Sequence, residues 1–318
     1  MIRSATALLV LALCGCASAT PSHPDAFAFA VMGDTQYNPA EEVSFAAMMA
    51  RVDREDLAFV VHVGDFAGGH DCSDELYRRR RDEYDASAHP FIYTPGDNEW
   101  IDCRRARPGN RDPLVNIARL REIFFPDRQS LGRRKIELLA QDRCIEPGPE
   151  GCRCAAHPEN RFWTRAGVRF VTLNVAGSEN NTGFDGARDA EARCRNEANA
   201  LWLEQAVRLS ERSETRALVI LVQANPWHSQ RRAYDGLLRQ VRDSARRVRK
   251  PVLFVHGDTH NQRVDTPFVD ALGNPVHNLV RLETFGSPFI GWIKVTVDPD
   301  DPQVFRFDPK LHAIVTPK

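Results

Sequence analysis

The chain has 318 residues, of which 42% are hydrophobic and 27% are charged. That composition can bury a sizeable core, so it excludes a peptide-like or disordered protein. The 42 Lys and Arg residues nearly cancel the 43 Asp and Glu residues, and the net charge of -1 excludes a global field that would attract nucleic acid. Specific binding of a small phosphate stays open, and the composition fixes no oligomeric state.

Residues 1–19 are typical of an export signal. Arg3 supplies the positive start, residues 7–13 form a short apolar stretch, and small residues follow. Leu13-Cys14-Gly15-Cys16 resembles a bacterial lipobox, in which Cys16 would be lipidated and would attach the protein to a membrane. The alternative is plain secretion. Both interpretations predict a protein outside the cytoplasm, in the periplasm, on the outer membrane or secreted. Residues 20–26 are predicted to be a tether between the signal and the domain.

Short apolar or β-branched runs, which fit buried strands, alternate with helical patterns over much of the chain. Strands are predicted at 27–32, 57–63, 91–94, 168–175, 217–222 and 252–255. Helices are predicted at 41–54, 74–86, 113–124, 190–211 and 231–249. This alternation indicates α/β layers.

The tail of the chain has a different pattern. Three strand-like runs, at 279–284, 292–297 and 304–307, have no helix between them and predict an antiparallel set that completes a second sheet. Residues 128–159 are rich in Pro and Gly and contain three cysteines, so they are predicted to be a long insertion. We therefore predict one domain over residues 27–318.

Six cysteines remain after the predicted signal, and an even number in an oxidising compartment favours disulfides. Cys72 and Cys103 each lie shortly after a strand end at the same predicted edge, so they are the first predicted pair. Cys144, Cys152 and Cys154 could instead form a zinc site, but the chain lacks the CxxC spacing typical of such sites.

Acidic and amide residues follow five of the predicted strands. The segments are Asp34-Thr35-Gln36, Gly64-Asp65, Asp97-Asn98-Glu99, Gln223-Ala224-Asn225 and Asp258-Thr259-His260. Strand C-termini of an open α/β sheet converge on one edge, so these side chains are predicted to meet in one cleft. Clustered carboxylates repel one another and lose hydration, and bound divalent cations offset that cost. The chain lacks Gly-x-Gly-x-x-Gly, P-loop and Gly-x-Ser-x-Gly signatures, so metal binding is the predicted chemistry.

The order of these segments resembles the calcineurin-like metallophosphoesterase family. That family has Asp-x-His, Gly-Asp, Gly-Asn-His-Asp/Glu, a later His and Gly-His-x-His along a β-sandwich. The resemblance covers residues 27–307 and implies a four-layer α/β/β/α sandwich of two mixed sheets flanked by helices. Asp97 occupies the position of the family's metal-binding Asn, and Asn98 occupies the position of its catalytic His. Gln223 occupies the position of the single later His, although Asn225 is an alternative for that position. Asp258 replaces the first His of the last motif.

The resemblance also implies two divalent metal ions. One would be held by Asp34, Gln36, Asp65 and His260, and the other by Asp65, Asp97, Gln223 and Asp258. Such a pair would generate a metal-bridging hydroxide for in-line hydrolysis of a phosphomonoester or phosphodiester. Oxygen donors replace several imidazoles, so Mg, Mn or Ca is favoured over Zn.

The general acid is the part of the site that the sequence leaves open. Asn98 can hydrogen-bond a phosphate oxygen but cannot deliver a proton. His228, on the predicted rim, is the candidate acid, while His62 and His256 are interpreted as core histidines. The run at 78–81, four consecutive arginines, is interpreted as a solvated helix face rather than a phosphate clamp.

These observations favour an exported, divalent-metal-dependent phosphoesterase that acts on a small phosphate ester. The alternative is a cell-envelope binding protein that kept the fold and lost turnover, because Asn98 and three other residues replace family histidines. A third hypothesis is a glycan hydrolase that uses Asp/Glu pairs.

Overall fold

Two β-sheets pack face to face, and helices cover the outer face of each. The computed structural model describes residues 24–69, 71–105, 111–142, 156–230, 232–270 and 272–316. Three apolar clusters separate four layers, one between the sheets and one under each set of helices. The predicted α/β/β/α sandwich of two mixed sheets is thereby confirmed.

Several sequence predictions lie outside the described residues. They are the export signal with Cys16 and the three cysteines 144, 152 and 154. Of the helices that are described, none combines the length and the hydropathy needed to cross a bilayer.

The first sheet has five strands, in the order β12-β11-β1-β2-β3. These are β1 (Phe27–Met32), β2 (Val60–His62), β3 (Phe91–Tyr93), β11 (Phe289–Val297) and β12 (Phe305–Ile314). The first three run parallel, and β11 and β12 are antiparallel to their neighbours.

Three helices cover this sheet, namely α1 (Pro39–Val52), α2 (Asp74–Asp85) and α3 (Pro113–Phe124). Each begins after a side-chain cap, supplied by Asn38, Ser73 and Asp112. These caps accept N–H groups that the first helical turn leaves without a partner.

The second sheet has seven strands, in the order β4-β5-β6-β7-β8-β10-β9. These are β4 (Leu139–Gln141), β5 (His157–Arg165), β6 (Val168–Thr172), β7 (Ala217–Leu221), β8 (Val252–His256), β9 (Arg263–Asp265) and β10 (Leu279–Glu283). Two helices, α5 (Gly186–Ser210) and α6 (Asp235–Val248), cover its outer face. A single turn, α4 (Gly177–Asn180), and a 3₁₀ turn (Asp102–Arg105) lie in the connections.

Aromatic rings fill the layer between the two sheets. The Phe170 ring lies 5.4 Å from Phe29, 5.1 Å from Phe59 and 5.0 Å from Trp163, measured between ring centroids. Along β1, Phe29 belongs to this inner cluster while Ala30 belongs to the cluster under the helices. The alternation of faces along a strand accounts for this division. The packing fixes the two sheets against each other.

Two predicted segments have a different role in the structure. Residues 279–284 were predicted to join an antiparallel set with the two runs after them. Instead β10 lies in the seven-stranded sheet, parallel to β8 and antiparallel to β9, whereas β11 and β12 pair antiparallel in the five-stranded sheet. β10 is buried along most of its length, which suits a place inside a sheet. The segment predicted as an insertion, 128–159, contributes β4 and the start of β5, which pair with each other. The Pro and Gly content concealed these short strands.

The predicted disulfide between Cys72 and Cys103 is confirmed. It joins the turn before α2 to the 3₁₀ turn across 31 residues of sequence. Cys194, in α5, is also disulfide-bonded. The connection between β3 and α3 is thus covalently tied to the connection that follows β2.

Candidate functional site

The turns that follow β1, β2 and β8 hold their acidic residues in a left-handed backbone conformation. The φ angles of Asp34, Asp65 and Asp258 are 53°, 59° and 77°. Gln36 and His260 share this conformation, with φ angles of 75° and 59°. Residues other than glycine rarely adopt such angles, and strained backbone of this kind is concentrated at functional sites. The turns aim these five side chains in directions that an unstrained connection would not give.

Asp34 links the first of these turns to the last. Its carboxylate is buried, and it accepts hydrogen bonds from the Asp258 N–H (2.8 Å to Oδ1) and the Thr284 hydroxyl (3.2 Å to Oδ2). Nε2 of His260 lies 3.9 Å from Oδ1. Gly257 permits this approach, because a Cβ atom there would lie 2.0 Å from Asp34 Oδ2.

Gln223 joins Asp65 to Asp97. Its Nε2 donates to Asp65 Oδ2 and to Asp97 Oδ1, both at 3.2 Å, and its Oε1 accepts from the Gly177 N–H at 2.6 Å. The sequence predicted Gln223 as a metal ligand, but the structure has it presenting N–H groups, not oxygen, to both carboxylates. The Gly177 N–H holds the amide in this orientation, because it needs the oxygen as its acceptor.

Asp97 and Asp258 converge on Gly177. A Cβ atom at that position would lie 2.8 Å from Asp97 Oδ1 and 2.6 Å from Asp258 Oδ1. Asp258 Oδ2 accepts from the Asn225 N–H at 2.9 Å, whereas the Asn225 side chain donates to the Thr259 hydroxyl at 2.7 Å. Of the two amide side chains that follow β7, it is Gln223 that contacts the carboxylates.

His260 is held in one tautomer. Its Nδ1 lies 2.6 Å from the Ser287 carbonyl oxygen, so Nδ1 carries the proton and donates it. Nε2 is thereby left with its lone pair, 3.4 Å from the Tyr37 hydroxyl, which is also 3.3 Å from Asp65 Oδ2. Burial lowers the pKa of His260 and favours the neutral ring. A neutral imidazole oriented by a carbonyl is the form in which His binds metal ions.

The pKa is raised at all four carboxylates of the site, of which Asp34, Asp65 and Asp97 are buried and Asp258 is half-buried. Burial is the largest cause at each of them, and the charge of a neighbouring carboxylate adds to it. The pKa of Asp258 rises to about 7, with Asp97 as the strongest charged neighbour. Among the described residues, only His260 lies within ion-pair distance of any of the four, and its ring is neutral. The site therefore concentrates negative charge that a cation would offset.

The buried side-chain amide of Gln36 is available to a ligand. The residue is buried, yet neither Nε2 nor Oε1 has a hydrogen-bond partner. Leaving a buried amide without partners costs free energy, so such a group needs an explanation, an ion being one. Within the described ranges, no three His, Cys, Asp or Glu side chains converge closely enough to hold a metal ion as they stand. The donor types do fit hard divalent cations, because they are mostly carboxylate and amide oxygens.

The two predicted catalytic residues take different positions. Asn98 lies at the site, where its N–H donates to Asp65 Oδ1 at 3.1 Å. His228 is exposed, and its N–H donates to the Asn225 carbonyl oxygen at 3.0 Å. The structure places His62 and His256 inside β2 and β8, where burial lowers the pKa of each to about 3. They are neutral core histidines, as the sequence indicated.

Arg80 is a buried member of the arginine run that sequence reasoning missed. Its three neighbours in the run pair with acidic residues at the surface, as expected of a solvated face. The Arg80 side chain is only 1% exposed; its Nε donates to the Phe66 carbonyl oxygen at 3.1 Å and its Nη2 to the Gln36 carbonyl oxygen at 3.3 Å. Arg80 therefore links the turn after β1 to the turn after β2. The only sequence signal was an arginine three residues before Glu83, with which it pairs.

A strained turn follows Gly177. Four consecutive residues have left-handed φ angles, namely Ser178 (47°), Glu179 (56°), Asn180 (53°) and Asn181 (65°). Each such residue costs about 1–2 kcal/mol relative to ordinary backbone. Each is tied to another element by its side chain, through bonds to Asp102, Ser229, Arg195 and Arg188 respectively. These contacts hold a costly backbone conformation directly beside Asp97 and Asp258.

The comparison with known families agrees with this arrangement. A family model described as calcineurin-like phosphoesterase matches residues 27–262, a range that includes all five polar turns. No curated protein matches the chain. Among solved structures, a dimetal phosphatase from Danio rerio is 13% identical over 90% of this chain and 99% of its own, with a TM-score of 0.49. A protein serine/threonine phosphatase from Saccharomyces cerevisiae is 12% identical over 92% and 82%, with a TM-score of 0.35.

Proposed function

Because this chain belongs to the calcineurin-like phosphoesterase family, we propose that it is an exported, divalent-metal-dependent phosphoesterase acting on a small phosphomonoester or phosphodiester. The observation that carries the proposal is the carboxylate cluster, in which burial and neighbouring negative charge raise the pKa of each member. Among the described side chains, no Lys or Arg lies within ion-pair distance of these carboxylates, and the nearby His260 is neutral. An anionic phosphate ester could approach this cluster only if cations reversed its charge.

The residues that would hold two cations come from both sheets. They are Asp34, Asp65, Asp97, Asp258 and His260, with the unpartnered oxygen of Gln36. When bound, the ions would supply positive charge for the transferred phosphoryl group and acidity for the attacking water. Oxygen donors predominate in this set, which favours Mg, Mn or Ca over Zn.

The surrounding residues position these donors and the substrate. Gln223 keeps Asp65 and Asp97 together through its two 3.2 Å hydrogen bonds. Asn98, anchored by its N–H bond to Asp65, would donate from Nδ2 to a phosphate oxygen. Because an amide gives no proton to a leaving group, His228 at the rim remains the candidate acid. We expect the protein to favour esters whose leaving group is already acidic.

Export is supported by the cysteines. The disulfide between Cys72 and Cys103, together with the disulfide-bonded Cys194, suits an oxidising compartment. A bacterial periplasm or the outer membrane would provide such an environment. Membrane attachment through Cys16 is part of the same proposal.

The proposal is tested by hydrolysis of 4-nitrophenyl phosphate and bis(4-nitrophenyl) phosphate in the presence of Mg, Mn, Ca or Zn. Chelation or Asp65→Asn should lower turnover by about 100-fold or more, because charge stabilisation is lost. Asp243→Asn, at a half-exposed position in α6, serves as the matched control and should retain activity. Hydrolysis that survives both chelation and Asp65→Asn would reject the metal-dependent mechanism.

A second candidate function is a binding protein of the cell envelope. The observation that favours it is Asn98, an amide at the position where a proton donor is expected. Calorimetry would distinguish the two functions. Stoichiometric metal and phosphate-ester binding without hydrolysis across a broad ester panel would establish the binding protein.

A further inference from the structure

Two arginines stack on Phe184 beside the carboxylate cluster, and a third arginine lies next to one of them. The guanidinium carbon of Arg104 lies 4.2 Å from the centroid of the Phe184 ring, and that of Arg188 lies 4.3 Å from it. Arg105 is adjacent in the same 3₁₀ turn as Arg104. Stacking on an aromatic ring fixes the plane of a guanidinium and leaves its N–H edges available for an anion.

The positive charge of this cluster exceeds its negative charge. Arg104 and Arg105 both pair with one carboxylate, that of Asp102. Arg188 donates from Nε to the amide oxygen of Asn181 at 3.0 Å, which is a neutral partner. Among the described residues, two of the three guanidinium groups thus share one carboxylate, and the third has no ion-pair partner within 4.0 Å. An anion placed among them would gain charge-assisted hydrogen bonds.

Arg188 provides an independent indication of a ligand. Its side chain is about nine-tenths buried, and Nη2 has no hydrogen-bond partner. A buried guanidinium N–H without an acceptor costs free energy, so an acceptor absent from the protein itself would relieve that cost. A phosphate or carboxylate oxygen has the required chemistry.

The arginine cluster adjoins the candidate metal site. The Ser178 hydroxyl donates to Asp102 Oδ1 at 2.7 Å, and Gly177, the preceding residue, contacts the carboxylates of Asp97 and Asp258. The Asp102 N–H also donates to the Asp97 carbonyl oxygen at 2.9 Å. A ligand with two anionic groups could therefore reach the metal site and the arginines at the same time.

We propose that Arg104, Arg105 and Arg188 form an anion subsite that binds a second phosphate or carboxylate of the substrate, beside the ester that is hydrolysed. This inference rests on the proposed function, because it assigns the substrate of that same site. The substrate class is a phosphate ester with an additional anionic group. The strained turn at 178–181 stabilises the subsite, since Asn181 anchors Arg188 and Ser178 anchors Asp102.

The subsite can be tested without turnover. Inorganic phosphate is titrated calorimetrically into chelator-treated protein, in which the carboxylate cluster repels anions. We expect one phosphate to bind, and Arg105→Gln to weaken its binding by about tenfold through loss of one charged hydrogen-bonding group. Arg105 is 59% exposed, so this change should leave the fold intact. Arg208→Gln, at an exposed arginine that also pairs with a carboxylate, should bind phosphate as the unchanged protein does. No binding, or equal binding by Arg105→Gln, would overturn the subsite.

Kinetics on the metal-loaded protein would show whether the anion at the subsite is a second group of the substrate or a free anion. Bisphosphates of straight-chain diols with three to six carbons are compared with the monophosphates of the same diols. At least one bisphosphate should have a kcat/KM about tenfold higher than its monophosphate, and Arg105→Gln should abolish that preference while Arg208→Gln keeps it. Phosphate binding in calorimetry without such a preference would assign the subsite to free anions and overturn its substrate role. Failure to hydrolyse any ester would count against the phosphoesterase, while the calorimetric result on the subsite would stand.

Discussion

The backbone N–H of Asp258 donates a 2.8 Å hydrogen bond to Oδ1 of Asp34 across 224 residues of sequence. Asp34 follows β1 in the five-stranded sheet, and Asp258 follows β8 in the seven-stranded sheet. This partly buried hydrogen bond therefore joins the two sheets at the edge where the carboxylates gather. A bond of this kind gains strength from the low dielectric of its surroundings. The candidate site is built across the interface between the sheets.

Gly257→Ala should damage the site through sterics alone. The added Cβ would lie 2.0 Å from Asp34 Oδ2, so the carboxylate or the turn must shift. We expect a loss of about 1–3 kcal/mol in the free energy of unfolding and loss of metal-dependent hydrolysis. Gly236→Ala is the matched control, because no atom lies within 4 Å of a Cβ there and the residue is in α6. Urea unfolding and ester hydrolysis would measure both, and an active Gly257→Ala protein would contradict the expectation.

Arg80→Lys should weaken metal binding without abolishing the fold. An ammonium group keeps the charge but cannot span the carbonyl oxygens of Phe66 and Gln36 as a guanidinium does. We expect metal affinity to fall by about tenfold, the lower end of what loss of a supporting contact costs. Arg79→Lys, on the exposed side of the same helix, is the control. Calorimetry with Mn would show the difference, and equal affinities would mean that Arg80 does not position the site.

Glu159→Gln should give a stability difference that depends on pH. Burial raises the pKa of Glu159, but the charge and hydrogen bonds of Arg121 and His157 outweigh burial and hold it well below its usual range. A lowered folded-state pKa stabilises the protein above the unfolded pKa, and that stability is lost as the pH falls through the folded pKa. We expect Glu159→Gln to cost about 3 kcal/mol at pH 7, because it leaves Arg121 without its buried partner.

This difference should shrink as the pH is lowered below about 4, the usual range for a Glu side chain. Urea unfolding at several pH values would measure it. Glu214→Gln, at an exposed carboxylate that also pairs with an arginine, should change stability by less than about 1 kcal/mol. A cost for Glu159→Gln that does not vary with pH would refute the electrostatic explanation.

Removing the disulfide by a double Cys72→Ser, Cys103→Ser change should destabilise the protein. The bond spans 31 residues, and closing a loop of that size in the unfolded chain contributes about 3–4 kcal/mol. The free energy of unfolding of this variant and of the unchanged protein would be compared under non-reducing conditions. A difference below about 1 kcal/mol would show that the connection between β2 and α3 is stable without the covalent link.

The carboxylates of the site could be predicted from sequence because their signal is local. Each of Asp34, Asp65, Asp97 and Asp258 follows a glycine at the end of an apolar run, and parallel strands end at a common edge. Cys72 and Cys103 could be paired for the same reason. The fold class followed from the alternation of strands and helices.

The rest depends on contacts between residues far apart in sequence. Arg80 looks like its surface neighbours in the run, and only the packing of α2 shows that it is buried. Gly177 carries no motif, although two carboxylates approach it. Gln223 was identified by position, but its orientation depends on a backbone N–H 46 residues away. The parallel pairing of β10 with β8 is likewise a property of the assembled sheet.

β1, the first strand of the domain, pairs on one side with β11, which is among the last strands to be synthesised. β1 lies between β2 and β11, and β11 spans Phe289–Val297 near the C-terminal end of the chain. While the polypeptide is still being synthesised, β1 has one of its two neighbours missing, and Asp34 at its end has no finished turn to occupy. The edge that carries the carboxylates is therefore complete only after the last strands of the sheet have been translated.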